Sequence, residues 1–292
     1  MDKTKKAHIA LSTVAIIWGI SYSVIKDVLD ANVVQPAGFI LMRVIAAAAL
    51  FSLVSRFFDS EKIEKKDYFK IALCGLFGVA INQLFFFEGL KLSTPINAAL
   101  IMTTTPMLVL VISAAIIREK ITGNKLIGIT LGAGGAIYLI LYDKTVSFLG
   151  QQWLGNLMLF VNAFSYGVYL VLVKSLMKKY NPITIIKWVF VIGLFFVLPF
   201  GVTDLIAADW QGFSPKVIGS IAFVIIFPTF LAYILNVFAL KSVNPSIVSV
   251  YIYVQPFLAT FFALLLVKDE LSVEKIIAGS VILLGVFFTS KN

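Results

Sequence analysis

Side chains able to make or break a covalent bond are nearly missing from this sequence. His8 is the one histidine and Cys74 the one cysteine, so a histidine metal site and an intrachain disulfide are both out of reach. No HExxH occurs, no Walker lysine loop, and no paired aspartates inside an apolar run. The Gly132-Ala133-Gly134-Gly135 stretch lies within an apolar block, where it cannot cradle a phosphate. The sequence therefore predicts no enzyme, no metal and no cofactor, and ATP-driven work would need a separate subunit.

The remaining chemistry is that of recognition. Trp18, Ser21, Tyr22 and Ile25 are spaced i, i+3, i+4, i+7 and share one helix face, as do Asn162, Ser165, Tyr166 and Tyr169. Asn82, Gln83 and Phe86 form a third group; Tyr233 and Asn236 lie 150 residues beyond Gln83 and Phe86. In a membrane such stripes face protein or a water-filled cavity. They thus serve either helix-helix hydrogen bonding or the lining of a pocket for a small polar or amphipathic solute. Pro106 and Pro256 fall mid-block and predict kinks. Beside them stand Thr103, Thr104 and Thr105, and Tyr251, Tyr253 and Gln255, whose polar groups either satisfy freed carbonyls or line a path at a flexible point. Arg43 needs a partner inside the membrane, either an anionic group of the solute or protein carbonyls and hydroxyls. Glu88 reads two ways, as a proton-coupling group or as a helix-end carboxylate at the interface.

The elements that must position these residues follow from hydropathy. Mean hydropathy is +0.98, 60% of residues are hydrophobic and 13% charged, against about 25% charge in a soluble domain. Ten apolar blocks of roughly spanning length run from 8 to 25, 36 to 55, 70 to 88, 94 to 117, 125 to 142, 152 to 173, 183 to 201, 216 to 239, 245 to 267 and 275 to 289. They are too long and too uniformly apolar for barrel strands, so an all-α integral membrane protein is expected. The first block offers no small-x-small cleavage site and is read as a retained span.

The net charge of +9 lies in short loops rather than on one soluble face. This argues against nucleic acid as a partner and for positive-inside sorting among membrane lipid. Lysine and arginine concentrate on the side that holds both termini, which places the termini in the cytoplasm.

The chain also repeats itself. Leu90-Lys91, Pro95, Pro106, Leu108, Lys125, Ile127 and Gly135 recur without a gap 150 residues on as Leu240-Lys241, Pro245, Pro256, Leu258, Lys275, Ile277 and Gly285. Five spans per copy is an odd number, so the second copy enters the membrane from the opposite side. The expectation is ten transmembrane helices as two inverted five-helix repeats, over 1–142 and 152–289. Secondary transporters commonly use that architecture. Gly128 and Gly132, with Gly279 and Gly285, predict close helix approach.

Ile17-Trp18-Gly19-Ile20-Ser21 with Lys26, Arg43 after Pro36, Asn82-Gln83 through Gly89-Leu90, Pro95 to Pro106 with Arg118-Glu119, and Pro245 to Pro256 with Glu270 and Gly279 occur in that order. In these residues the chain resembles the drug/metabolite transporter superfamily, in its EamA-type branch. The resemblance implies a permease of the bacterial cytoplasmic membrane, a monomer or weak homodimer, that exports an amino acid, a related metabolite or a toxic compound. It also implies a central cavity that maps onto Trp18, Tyr22, Gln83, Phe86, Tyr166, Tyr233, Asn236 and Tyr253. Import or exchange, and a receptor or assembly role without turnover, are the competing expectations.

Overall fold

A computed structural model describes residues 3–57, 61–117, 122–141, 151–177, 179–240, 251 and 254–290. Among them the secondary structure is helical throughout. The helices are α1 (Lys3–Asp30), α2 (Pro36–Ser55), α3 (Tyr68–Gly75, continuing to Leu92), α4 (Pro95–Met102 and Thr105–Ile117), α5 (Gly123–Leu141), α6 (Gln152–Met177), α7 (Pro182–Ile206), α8 (Pro215–Val224, continuing to Leu240), α9 (Gln255–Leu265) and α10 (Val273–Ser290). Seven of these, α1 to α4 and α6 to α8, are long and apolar enough to cross a membrane. The described residues thus supply seven such helices where the sequence predicts ten spans. Part of the shortfall is at α9, whose expected span begins at 245 while the described helix starts at Gln255.

Helix starts are encoded locally. Pro36, Pro95, Pro182 and Pro215 each stand in a first turn, where a missing N–H costs nothing. Three of these turns are capped: Thr94 accepts from Asn97 N, Asn181 from Ile183 N and Ser214 from Val217 N, each cap contributing about 1 kcal/mol.

Both prolines expected to kink their spans stand in a first helical turn, Pro106 beside an interruption of α4 at Thr103-Thr104 and Pro256 in α9. Residues 252 and 253 before α9 lie outside the described residues. A ring that would clash with a carbonyl in a helix interior is tolerated in a first turn. Two breaks that the sequence does not announce lie elsewhere. Leu76–Ile81 in α3 and Ile225–Leu231 in α8 are π-helical, a geometry that widens the turn and recurs at functional sites. Their starts lie 149 residues apart and their ends 150, in step with the sequence repeat.

The helices pair across the two halves of the chain. α2 packs on α7, α5 on α10, α3 on α6, and α1 on α8 and α9. Glycine permits the tightest approaches. A Cβ on Gly201 would stand 2.6 Å from the Ala37 carbonyl oxygen, and one on Gly285 2.7 Å from backbone atoms of Gly128 and Gly132. The core between them is apolar, with Phe39, Phe51, Phe87 and Phe190 fully buried and Phe51 and Phe190 in ring contact at 5.2 Å. Cys74 is one of its buried residues.

Candidate functional site

A cavity of about 120 Å³ lies where the interrupted helices meet. Ten of the sequence-predicted residues plus Arg43 line it: Trp18, Ser21 and Tyr22 from α1, Arg43 from α2, Asn82, Gln83 and Phe86 from α3, Asn162 and Tyr166 from α6, Tyr233 from α8 and Gln255 from α9. Ile25, Met102, Thr105 and Pro228 complete the wall. Each π segment ends just before lining residues, Asn82-Gln83 in α3 and Tyr233 in α8, so the widened turns set the rotation at which these side chains emerge.

The lining is held by hydrogen bonds between helices. Asn162 Nδ2 donates to the Asn82 carbonyl at 2.5 Å, and Asn82 Nδ2 to the Asn162 carbonyl at 3.4 Å. Trp18 Nε1 donates to the Pro228 carbonyl at 3.3 Å, and Tyr22 Oη to Gln255 Oε1 at 3.5 Å. Aromatic contacts close the wall: Tyr22 and Phe86 lie 5.7 Å apart, Tyr166 and Tyr169 stack at 5.8 Å. Among the described residues Gln83 Oε1 and Asn162 Oδ1 are buried acceptors without a partner, and the Thr105 hydroxyl, which can donate or accept, has none either.

Among the described residues Arg43 is the one charged residue in this wall, and it is 8% exposed. Its Nε donates to Thr229 Oγ1 at 2.5 Å, the Thr229 hydroxyl donates to the Val224 carbonyl at 2.7 Å, and the Phe87 ring lies 5.4 Å from the guanidinium carbon. Thr229 belongs to the π segment of α8, five residues beyond Val224, so the widened turn presents the hydroxyl that holds Arg43.

Other predicted residues lie outside the lining. Thr103 and Thr104 donate to the Leu100 and Ile101 carbonyls at 2.5 and 2.7 Å, serving the break in α4. Ser165 donates to the Phe77 carbonyl at 2.5 Å. Tyr251 bonds His8 Nδ1 at 2.8 Å. Glu88 is half-buried further along α3, and Asn236 further along α8; Tyr253 lies outside the described residues. Of the three hydroxyls beside Pro106, Thr105 alone lines the cavity. Sequence reasoning passed over Thr229 and Pro228; Pro228 was legible as a proline within an apolar block, and for Thr229 no sequence signal stands out.

Charged clusters close both ends of the bundle. At the end of α1, Asp27 pairs with Lys268 and, at 3.3 Å, with Lys216, while Lys26 Nζ donates to the Leu90 and Lys91 carbonyls. At the opposite end Lys179 bridges Glu64 at 2.5 Å and Asp67 at 2.6 Å. There Lys179, then Lys66, hold the Glu64 carboxyl below its ordinary range, and Asp67 with Glu64 pushes Lys179 up.

Among known proteins, the chain matches the model of the EamA-like transporter family over residues 5–141 and 153–291. An uncharacterized transporter of Archaeoglobus fulgidus is 27% identical over 98% of this chain and 99% of its own. A protein of Streptantibioticus cattleyicolor named a probable terminal-alkyne amino-acid exporter is 23% identical over 75% of this chain and 70% of its own. A crystal structure with 17% identity aligns over 97% of this chain and 96% of that one with a TM-score of 0.66, which is a likeness of fold.

Proposed function

The chain belongs to the EamA-like transporter family, and from that premise we propose that it carries a small organic solute outward across a bacterial cytoplasmic membrane by alternating access. On this reading ten spans form two inverted units, 1–142 and 152–289, with both termini cytoplasmic, and the protein works as a monomer or weak homodimer in lipid. The observation that carries it is the cavity, whose amide, hydroxyl and aromatic groups come from α1 to α4 on one side and from α6, α8 and α9 on the other. A site between two halves can face either side of the membrane in turn as one half rocks against the other. The amino-acid exporter among its relatives supports an amino acid or related metabolite as the solute.

Counterflow in liposomes tests this, with purified protein and a panel of amino acids, nucleosides and organic cations, with and without a pH gradient. Saturable exchange is expected. Accumulation driven from outside to inside would make the protein an importer, and folded protein that exchanges nothing would make it a receptor or assembly factor. Proton coupling through Glu88 is part of the same reading: Glu88→Gln should abolish gradient-driven accumulation and spare exchange, and unchanged pH dependence removes Glu88 from the mechanism.

A further inference from the structure

The geometry points to a solute that carries a carboxylate, held at Arg43, together with an N–H or O–H donor that meets the orphan amide oxygens of the same wall. This rests on the transporter reading and narrows its solute class. A guanidinium costs several kcal/mol to bury in a membrane interior unless it is compensated. Arg43 is nonetheless 8% exposed, and among the described residues its guanidinium meets the Thr229 hydroxyl and the Phe87 ring, with the Tyr233 hydroxyl in electrostatic range and no carboxylate beside it. Among the described residues no aspartate or glutamate lines the cavity. Thr229 takes Nε, which leaves the two terminal nitrogens of the fork, the pair suited to a bidentate carboxylate.

Two amide oxygens of the same wall, Gln83 Oε1 and Asn162 Oδ1, have no donor among the described residues, whereas Gln255 Oε1 already accepts from Tyr22. Buried acceptors left unmade are costly, so a solute that supplies N–H or O–H groups gains more there than one that supplies further oxygens. An organic cation without a carboxylate would meet Arg43 as a like charge at short range in a poorly screened site.

Three molecules of nearly one shape separate these contributions: leucine, 4-methylpentanoate, which lacks the ammonium, and 3-methylbutylamine, which lacks the carboxylate. Binding to the purified protein in detergent is read from its thermal midpoint and from quenching of tryptophan fluorescence, Trp18 being in the wall. Leucine should bind most tightly, 4-methylpentanoate next, and the amine weaker than leucine by about 10- to 100-fold, as expected for a lost charged hydrogen bond. Arg43→Gln should erase the advantage of both carboxylates, and Gln83→Leu should narrow the gap between leucine and 4-methylpentanoate. Arg43→Lys keeps the charge without the fork and should bind both carboxylates more weakly than the unmutated protein.

Equal or tighter binding of the amine, or no carboxylate-dependent shift in the unmutated protein, overturns the inference even if every Arg43 variant fails to fold. Carboxylate binding without any exchange in liposomes would support the role of Arg43 while overturning transport, so the two failures are distinguishable.

Discussion

Two joints of this bundle use matching backbone and different side chains. Where α3 meets α6, the π segment of α3 receives a bond from Ser165 at Phe77, and Asn82 and Asn162 exchange amide bonds just beyond it. Where α8 meets α1, the π segment of α8 receives one longer bond, from Trp18 to Pro228; Ser21, in the place of Ser165, bonds its own helix at Trp18. The widened turns recur in step with the sequence repeat, so the repeat preserved the backbone device. The polar closure is concentrated at α3 and α6, leaving the α1–α8 joint with fewer interactions to break. If the halves move against each other, that joint is the one that should yield.

The largest expected effect is at the π segment of α3. A Cβ on Gly78 would stand 2.4 Å from the Tyr169 ring, so Gly78→Ala should destabilise by about 1–3 kcal/mol, the usual cost of overpacking. Gly219→Ala in α8 meets nothing within 4 Å and should be neutral or stabilising by less than about 1 kcal/mol. Mixed-micelle denaturation midpoints measure both, and equal effects would break the comparison.

Next comes the amide exchange. Asn162→Leu should cost about 1–2 kcal/mol and Trp18→Phe clearly less, since hydrogen bonds in membranes contribute about 0.6–2 kcal/mol and the Trp18 bond is long. A larger loss at Trp18 would reverse the order of the joints. A finer test pairs the serines: Ser165→Ala should cost about 0.5–1.5 kcal/mol, the usual net value of a hydrogen bond. Ser21→Ala should be nearly silent by the same denaturation assay, because Ser21 ties no second helix.

The smallest effect concerns the end of the bundle at Lys179. Glu64 is held below its ordinary pKa by Lys179 and Lys66, so its contribution is complete above the unfolded carboxylate value of about 4.3. It is lost as pH falls through the lower folded value. Lys179 is raised, so its contribution is present at neutral pH and is lost only as pH rises through that raised value. Thermal midpoints should therefore drop slightly more in acid for the unmutated protein than for Lys179→Gln. Salt should shrink the difference, because these groups are exposed.

Much of the lining of the candidate site was legible in the sequence. A tryptophan, tyrosines and amides inside apolar blocks are expensive in lipid, and helical spacing puts them on common faces. That is why Trp18, Tyr22, Gln83, Phe86, Asn162, Tyr166 and Tyr233 could be singled out and why the cavity collects them. Thr103, Thr104 and Ser165 were equally conspicuous yet bond backbone carbonyls. A hydroxyl's type does not say whether it faces a cavity or a neighbouring turn.

By itself the sequence determined the solvent, the helical class, the doubling and the absence of familiar catalytic motifs, since hydropathy, spacing and residue type are one-dimensional properties. The tertiary structure decided where the helices widen, that α4 is interrupted at Thr103-Thr104 just before Pro106, and that Thr229 rather than a carboxylate meets Arg43. Those outcomes depend on which turn of one helix lies against which turn of another. Such rotations are fixed by close approach between residues as far apart in the chain as Gly78 and Tyr169, and no local pattern records them.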